Sequence, residues 1–122
     1  MATILIVDDM QTDRELLGKV VAGAGHSPVY ASDGDQALTK AKDAKPALIF
    51  LDVVMPGTNG FHACRKLKQD ADTKHIPVVL VTSKSTDSDK FWGQKQGADH
   101  HIPKPFSPDS ILETLRRLVA RA

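Results

Sequence analysis

Three short apolar runs constrain this chain more than anything else in it: Ile4–Val7, Leu48–Leu51 and Val78–Val81. Each is continuous rather than alternating. A strand that is apolar on both faces must be covered on both, which points to a parallel sheet between two helical layers. Two weaker candidates, Val29–Ala31 and His100–Ile102, each carry a proline at one end, Pro28 and Pro103. Proline lacks the N–H that a central strand needs, so these two suit the sheet edges.

Segments with helical spacing lie between the runs. The first spans about 12–24, with Leu16, Leu17, Val20 and Val21 on one face; Thr12 and Glu15 stand at capping-box spacing, and Gly23 and Gly25 supply a stop. The second spans about 35–44 and turns Ala37, Leu38 and Ala41 inward. The third sets Phe61, Cys64 and Leu67 three residues apart. The fourth, about 85–96, is polar apart from Phe91 and Trp92. As chain neighbours these two cannot both point fully inward, so one is expected to be partly exposed. The last opens at Ser107 with Pro108 behind it, a cap followed by the favoured first helical residue. The βαβαβαβαβα alternation predicts the α/β class and one domain over residues 1–122. Edge positions for the second and fifth strands suit a five-stranded parallel sheet of order 2-1-3-4-5, the doubly wound (βα)5 flavodoxin-like arrangement.

Composition removes several function classes. Hydrophobic residues are 41% and charged residues 25% of the 122, ordinary globular values. Sixteen Lys and Arg against fifteen Asp and Glu leave a net charge of +1, which argues against a basic nucleic-acid module. The single cysteine, Cys64, permits no internal disulfide and fits a cytoplasmic location. Ile4–Val7 is too short for a signal peptide or a membrane span, so neither membrane nor nucleic acid is expected as a partner.

The polar residues that end the strands carry the chemistry. Asp8 and Asp9 end the first, Asp52 the third, Thr82 and Ser83 the fourth, and Lys104 closely follows the fifth. In an open parallel sheet, ligands bind at the carboxyl edge where the strand order reverses, here between strands one and three. Asp8, Asp9 and Asp52 are expected to meet there. Three adjacent carboxylates repel unless a proton or a cation joins them, and hard oxygen ligands favour Mg²⁺, with Mn²⁺ as the alternative. Lys104 adds a fixed positive charge and Thr82 a hydroxyl, a set suited to holding a phosphoryl group.

Taken in order, Ile6-Val7-Asp8-Asp9, Leu51-Asp52-Val53-Val54-Met55-Pro56-Gly57, Gly60, Val81-Thr82-Ser83 and Lys104-Pro105-Phe106 resemble the receiver domain of two-component response regulators, the CheY-like family. The resemblance runs over essentially the whole chain. It implies that Asp52 accepts a phosphoryl group from a histidine kinase. It implies that Asp9, Asp52 and the Val54 carbonyl bind Mg²⁺ directly, with Asp8 acting through metal-bound water. Thr82 would hydrogen-bond a phosphoryl oxygen and move on activation, and Lys104 would pair with Asp52 or the phosphoryl group. The Lys104-Pro105 peptide would be cis. His101 stands where the family commonly has Tyr or Phe as a rotating switch, so the aromatic switch does not carry over unchanged; a histidine there could add pH dependence. The segment Asp89-Lys90-Phe91-Trp92-Gly93 followed by Gln96-Gly97-Ala98 is similar to the twitching-motility, PilH-like branch.

The implied function is that of a stand-alone response regulator that catalyses only its own phosphorylation and dephosphorylation. It would signal through protein contacts on the face of the fourth helix, fifth strand and fifth helix, as a monomer or weak dimer, with motility machinery as a candidate target. Trp92 is either a partner contact or a packing residue. Cys64 reads as a buried thiol, and the five histidines lack ligand-like spacing. Two rivals stand beside this reading. A haloacid-dehalogenase-like hydrolase needs a second Asp two residues after the first, where this chain has Val54. A degenerate receiver serving only as an interaction module would not need its acidic, hydroxyl and lysine positions intact.

Overall fold

The three continuous apolar runs each form a strand with neighbours on both sides. The computed structural model describes residues 2–119 except Pro56, and of Thr58 only the backbone. Pro56 of the loop motif and the outermost residues of the expected 1–122 domain therefore lie outside the described residues. The sheet strands are β1 (Thr3–Val7), β2 (Ser27–Ala31), β3 (Leu48–Leu51), β4 (Val78–Thr82) and β5 (His100–Pro103). All pair in parallel, in the order β2-β1-β3-β4-β5. Pro28 and Pro103 sit on the two edge strands, opposite Ile4 and Thr82. The helices are α1 (Gln11–Gly23), α2 (Gly34–Ala44), α3 (Gly60–Gln69), α4 (Asp87–Lys95) and α5 (Pro108–Leu118). A short antiparallel ribbon, Val54–Met55 with Thr58–Asn59, links β3 to α3.

Strand side chains alternate between faces, so the sheet divides the core in two. Leu5, Val7, Ile49, Leu51, Val78 and Leu80 pack with Ala37, Ala41, Phe61, Cys64 and Leu67 from α2 and α3. Ile4, Ile6, Leu48, Phe50, Val79 and Val81 pack on the other side with Leu17, Val21, Ile111 and Leu115 from α1 and α5. Among the described residues, no helix is long and apolar enough to cross a membrane.

Two helix expectations need correction. α1 begins at Gln11, so Thr12 lies inside it and caps nothing; the residue at the cap is Met10, which makes no side-chain cap bond. The start is early because the Asp8 carboxylate accepts the Met10 N–H at 3.0 Å and turns the chain directly from strand into helix. Leu16 is exposed, leaving Leu17 and Val21 to fill the core. In α4 neither aromatic points inward: Phe91 is 57% and Trp92 53% exposed. The residue facing the sheet is Gly93, where an added Cβ would lie only 2.6 Å from Leu80 Cδ1. Helical spacing then turns positions 91 and 92 away from the sheet. The Lys95 ammonium lies 5.3 Å from the centre of the Phe91 ring.

The signals at Ser107 and Cys64 hold. Ser107 caps α5 ahead of Pro108. Thr86 caps α4 in a reciprocal box with Asp89. Cys64 is fully buried, and burial pushes its thiol pKa up to about 12.

Candidate functional site

The sheet ladder extends one residue beyond several strands, and those extra residues are the site. Asp8 N–H donates to the Ala31 carbonyl at 3.1 Å, Asp52 N–H to the Val7 carbonyl at 2.9 Å, and Lys104 N–H to the Thr82 carbonyl at 3.0 Å. Each backbone is thus fixed by the sheet while its side chain stands clear of the pleat. Gly60 tightens the same edge. A Cβ there would fall on the Asp52 carbonyl and Val53 Cα, so only glycine lets α3 begin this close to Asp52.

Asp8, Asp9 and Asp52 each offer a carboxylate oxygen, all within 4.8 Å of one another. Asp8 and Asp52 are buried and Asp9 is half-buried, leaving the group open on one side. Lys104 enters from the β5 side. Its ammonium donates to Asp8 Oδ2 at 2.6 Å, Asp13 Oδ2 at 2.8 Å and Asp52 Oδ2 at 2.9 Å. The second Asp52 oxygen, Oδ1, accepts the Val54 N–H at 3.1 Å. Burial raises the Asp8 pKa above the ordinary carboxylate value, against the pull of the Lys104 hydrogen bond. Burial also opposes the charge on Lys104, but the hydrogen bonds to Asp13, Asp8 and Asp52 outweigh it and raise the Lys104 pKa. The Lys104-Pro105 peptide is cis.

The carboxylates of Asp8, Asp9, Asp13 and Asp52 outnumber the Lys104 ammonium and the Arg14 guanidinium, which donates to the Asp8 carbonyl at 2.7 Å, so the cluster is net negative, as a site for a divalent cation requires. The donors are all oxygen and the open side leaves room for water, so Mg²⁺ or Mn²⁺ fits better than a softer metal.

The remaining expected residues stand at different distances from this centre. Thr82 is buried at the end of β4, and its hydroxyl oxygen accepts the Lys84 N–H at 3.2 Å. Val54 is exposed in the ribbon beside Asp52. His101 lies on β5, the edge strand beyond β4, with Nε2 3.0 Å from the Lys84 carbonyl and 3.5 Å from Ser85 Oγ. A carbonyl only accepts, so Nε2 carries the proton in this contact and Nδ1 is bare. Nδ1 is buried without a partner. Burial lowers the His101 pKa more than the Lys84 carbonyl raises it. Trp92 sits apart from the carboxylates, with Phe91 on the exposed side of α4, where a cleft of about 700 Å³ opens towards Asn59 and Lys84.

Sequence reasoning missed Asp13. It lies in the first turn of α1, where an acidic side chain suits the helix N-terminus and passes for an ordinary dipole partner. The usable signal was position: a helix that starts directly after Asp8-Asp9 keeps its first turn at the same sheet edge.

Residues 4–116 match the response regulator receiver domain family. The chain belongs to that family. Pseudomonas aeruginosa protein PilH is 41% identical over 120 residues, covering 98% of this chain and 99% of PilH. The phosphate regulon transcriptional regulatory protein PhoB of the same species is 40% identical, but this chain spans only 52% of its length. The solved Vibrio cholerae chemotaxis protein CheY4 superposes with a TM-score of 0.90 at 33% identity, covering 97% of this chain and 98% of that one. The receiver fold and its strand order therefore stand as the sequence implied.

Proposed function

We propose that this receiver accepts a phosphoryl group on Asp52 from a histidine kinase, in a reaction that needs Mg²⁺ or Mn²⁺, and signals through protein contacts that depend on it. One observation carries the reading: Lys104 spans Asp52 and Asp8 at the switch point of the sheet, within a carboxylate cluster whose net negative charge suits a divalent cation. In the transfer, an Asp52 carboxylate oxygen attacks phosphorus, the P–N bond to the donor imidazole breaks, and nitrogen leaves with the bonding pair. Asp8, Asp9 and Asp52, with the Val54 carbonyl, would hold the cation, which supplies positive charge to offset the incoming phosphoryl oxygens. Lys104 moves its Asp52 hydrogen bond to a phosphoryl oxygen. Thr82 takes another oxygen once its hydroxyl turns from Lys84. No separate substrate is turned over; the chain catalyses only the gain and loss of its own phosphoryl group.

The likeness to PilH along the length of both chains supports the motility branch that the Asp89–Gly93 segment resembles. The exposed Phe91 and Trp92 of α4 and the neighbouring His101 support the α4–β5–α5 side as the surface read by a downstream protein. Intact-mass spectrometry after incubation with acetyl phosphate tests the reading. The expected result is one phosphoryl adduct with Mg²⁺, none with EDTA and none in Asp52→Asn. A stable adduct on Asp52→Asn would reassign the acceptor. No adduct from either acetyl phosphate or a phosphorylated histidine kinase would leave a protein-interaction module instead.

A further inference from the structure

The Lys104 ammonium has three N–H donors, and all three are engaged: one to Asp8, one to Asp52 and one to Asp13. The first two acceptors are set by the ends of β1 and β3. The third comes from α1, on the outer side of the cluster. The Asp13 side chain is 36% exposed, against 8% and 7% for Asp8 and Asp52. Asp13 therefore stands at the mouth of the site, between solvent and the ammonium that must meet an incoming anion.

Its charge changes the balance of the site. The side chains of Asp8, Asp9, Asp52 and Lys104 sum to a charge of about −2, and Arg14, whose guanidinium donates to the Asp8 carbonyl at 2.7 Å, brings this to about −1; Asp13 restores about −2, the charge that one divalent cation cancels. We propose that Asp13 is a positioning residue that anchors Lys104 from α1 and makes the site favour cations over anions, strengthening Mg²⁺ binding while weakening the hold on a phosphoryl group. This inference rests on the phosphoryl-acceptor reading above. Asp13 touches neither the acceptor oxygen nor the donor; it acts through Lys104 and through its charge.

The two effects have opposite signs, and a simple structural role would not produce that. Loss of packing or of helix stability would weaken both ligands together. Removing one unit charge at the mouth of a partly solvated cleft should instead weaken the cation and strengthen the anion, each by roughly three- to tenfold. The effect should shrink as salt screens the mouth.

The test uses the full chain and titration calorimetry, with Mg²⁺ alone and then beryllofluoride in saturating Mg²⁺ as a non-transferable stand-in for the phosphoryl group. Asp13→Asn keeps the size and an acceptor oxygen for Lys104 but removes the charge. It should bind Mg²⁺ several-fold more weakly and beryllofluoride several-fold more tightly than the wild type. Asp13→Glu, which keeps the charge, should stay near the wild type on both. Parallel movement of the two affinities in Asp13→Asn, or no movement in either, overturns the proposal. Failure of the wild type itself to bind beryllofluoride overturns the phosphoryl-acceptor reading, and this one with it.

Discussion

Lys104 and His101 lie three residues apart along one edge of the sheet, and their hydrogen bonding is opposite. Lys104 is saturated: three donors, three carboxylate acceptors, and a backbone N–H tied to Thr82. His101 is half satisfied, with Nε2 on the Lys84 carbonyl and Nδ1 buried without a partner. A saturated group is expensive to move because every contact must be replaced at once. A half-satisfied group has already lost part of what holds it, so its alternatives lie close in energy. This edge of the sheet is thus held tightly at Lys104 and more loosely at His101.

The hardest blow to this contrast is Lys104→Ala. It leaves Asp8 and Asp52 buried and facing each other, which should cost about 2–3 kcal/mol at neutral pH, somewhat below a fully buried broken pair because Asp13 and Asp9 reach solvent. Urea unfolding checks this, and added Mg²⁺ should return part of the loss. An unchanged midpoint would mean that saturation does not fix the site. Gly93→Ala probes the loose half. The new methyl would press on Leu80 Cδ1 at 2.6 Å and stand 3.7 Å from His101 Nδ1. It should cost about 1–2 kcal/mol by forcing α4 away from the sheet.

A smaller effect sharpens the comparison at His101 itself. Its folded pKa lies below the ordinary histidine value because burial disfavours the charged ring. Between that lowered value and the unfolded value near 6.5, the unfolded chain binds more protons. Stability from the neutral ring is therefore present above about pH 6.5 and is lost as pH falls through that window. His101→Phe removes the unpaired nitrogen and this slope together. Urea unfolding at a series of pH values should show a variant within about 1 kcal/mol of the wild type at pH 7, with a flatter acid limb. The smallest effect concerns Cys64, buried with its thiol raised to about 12. Thiol reagents should label it only after unfolding, and fast labelling of the folded chain would break the picture of a tight α3 packing.

The sequence made the fold legible wherever one residue type had one physical solution. Continuous apolar runs had to be doubly covered strands, the prolines at 28 and 103 suited edges, and Ser107 with Pro108 could only open a helix. The site was legible for the same reason: Asp8, Asp9, Asp52 and Lys104 lie at strand ends, which topology brings to one edge. What escaped was decided by short-range competition. Thr12 and Glu15 had capping-box spacing, but the Asp8 carboxylate took the Met10 N–H and started α1 earlier. One of Phe91 and Trp92 was expected to pack inward, but Gly93 gave the helix a closer approach with both aromatics outside. Asp13 escaped because its partner lies 91 residues away along the chain.

The divided core has a consequence for how this chain tolerates change. The two apolar clusters share only the sheet; Leu51 and Phe50 are chain neighbours yet belong to different ones. Truncations placed one on each side should combine additively, since neither leaves a void the other can collapse into, whereas two on the same side should couple. Such a domain can be redesigned in halves: the α1–α5 side can be repacked wholesale while the α2–α3 side keeps its own dimensions, provided the strands between them stay in register.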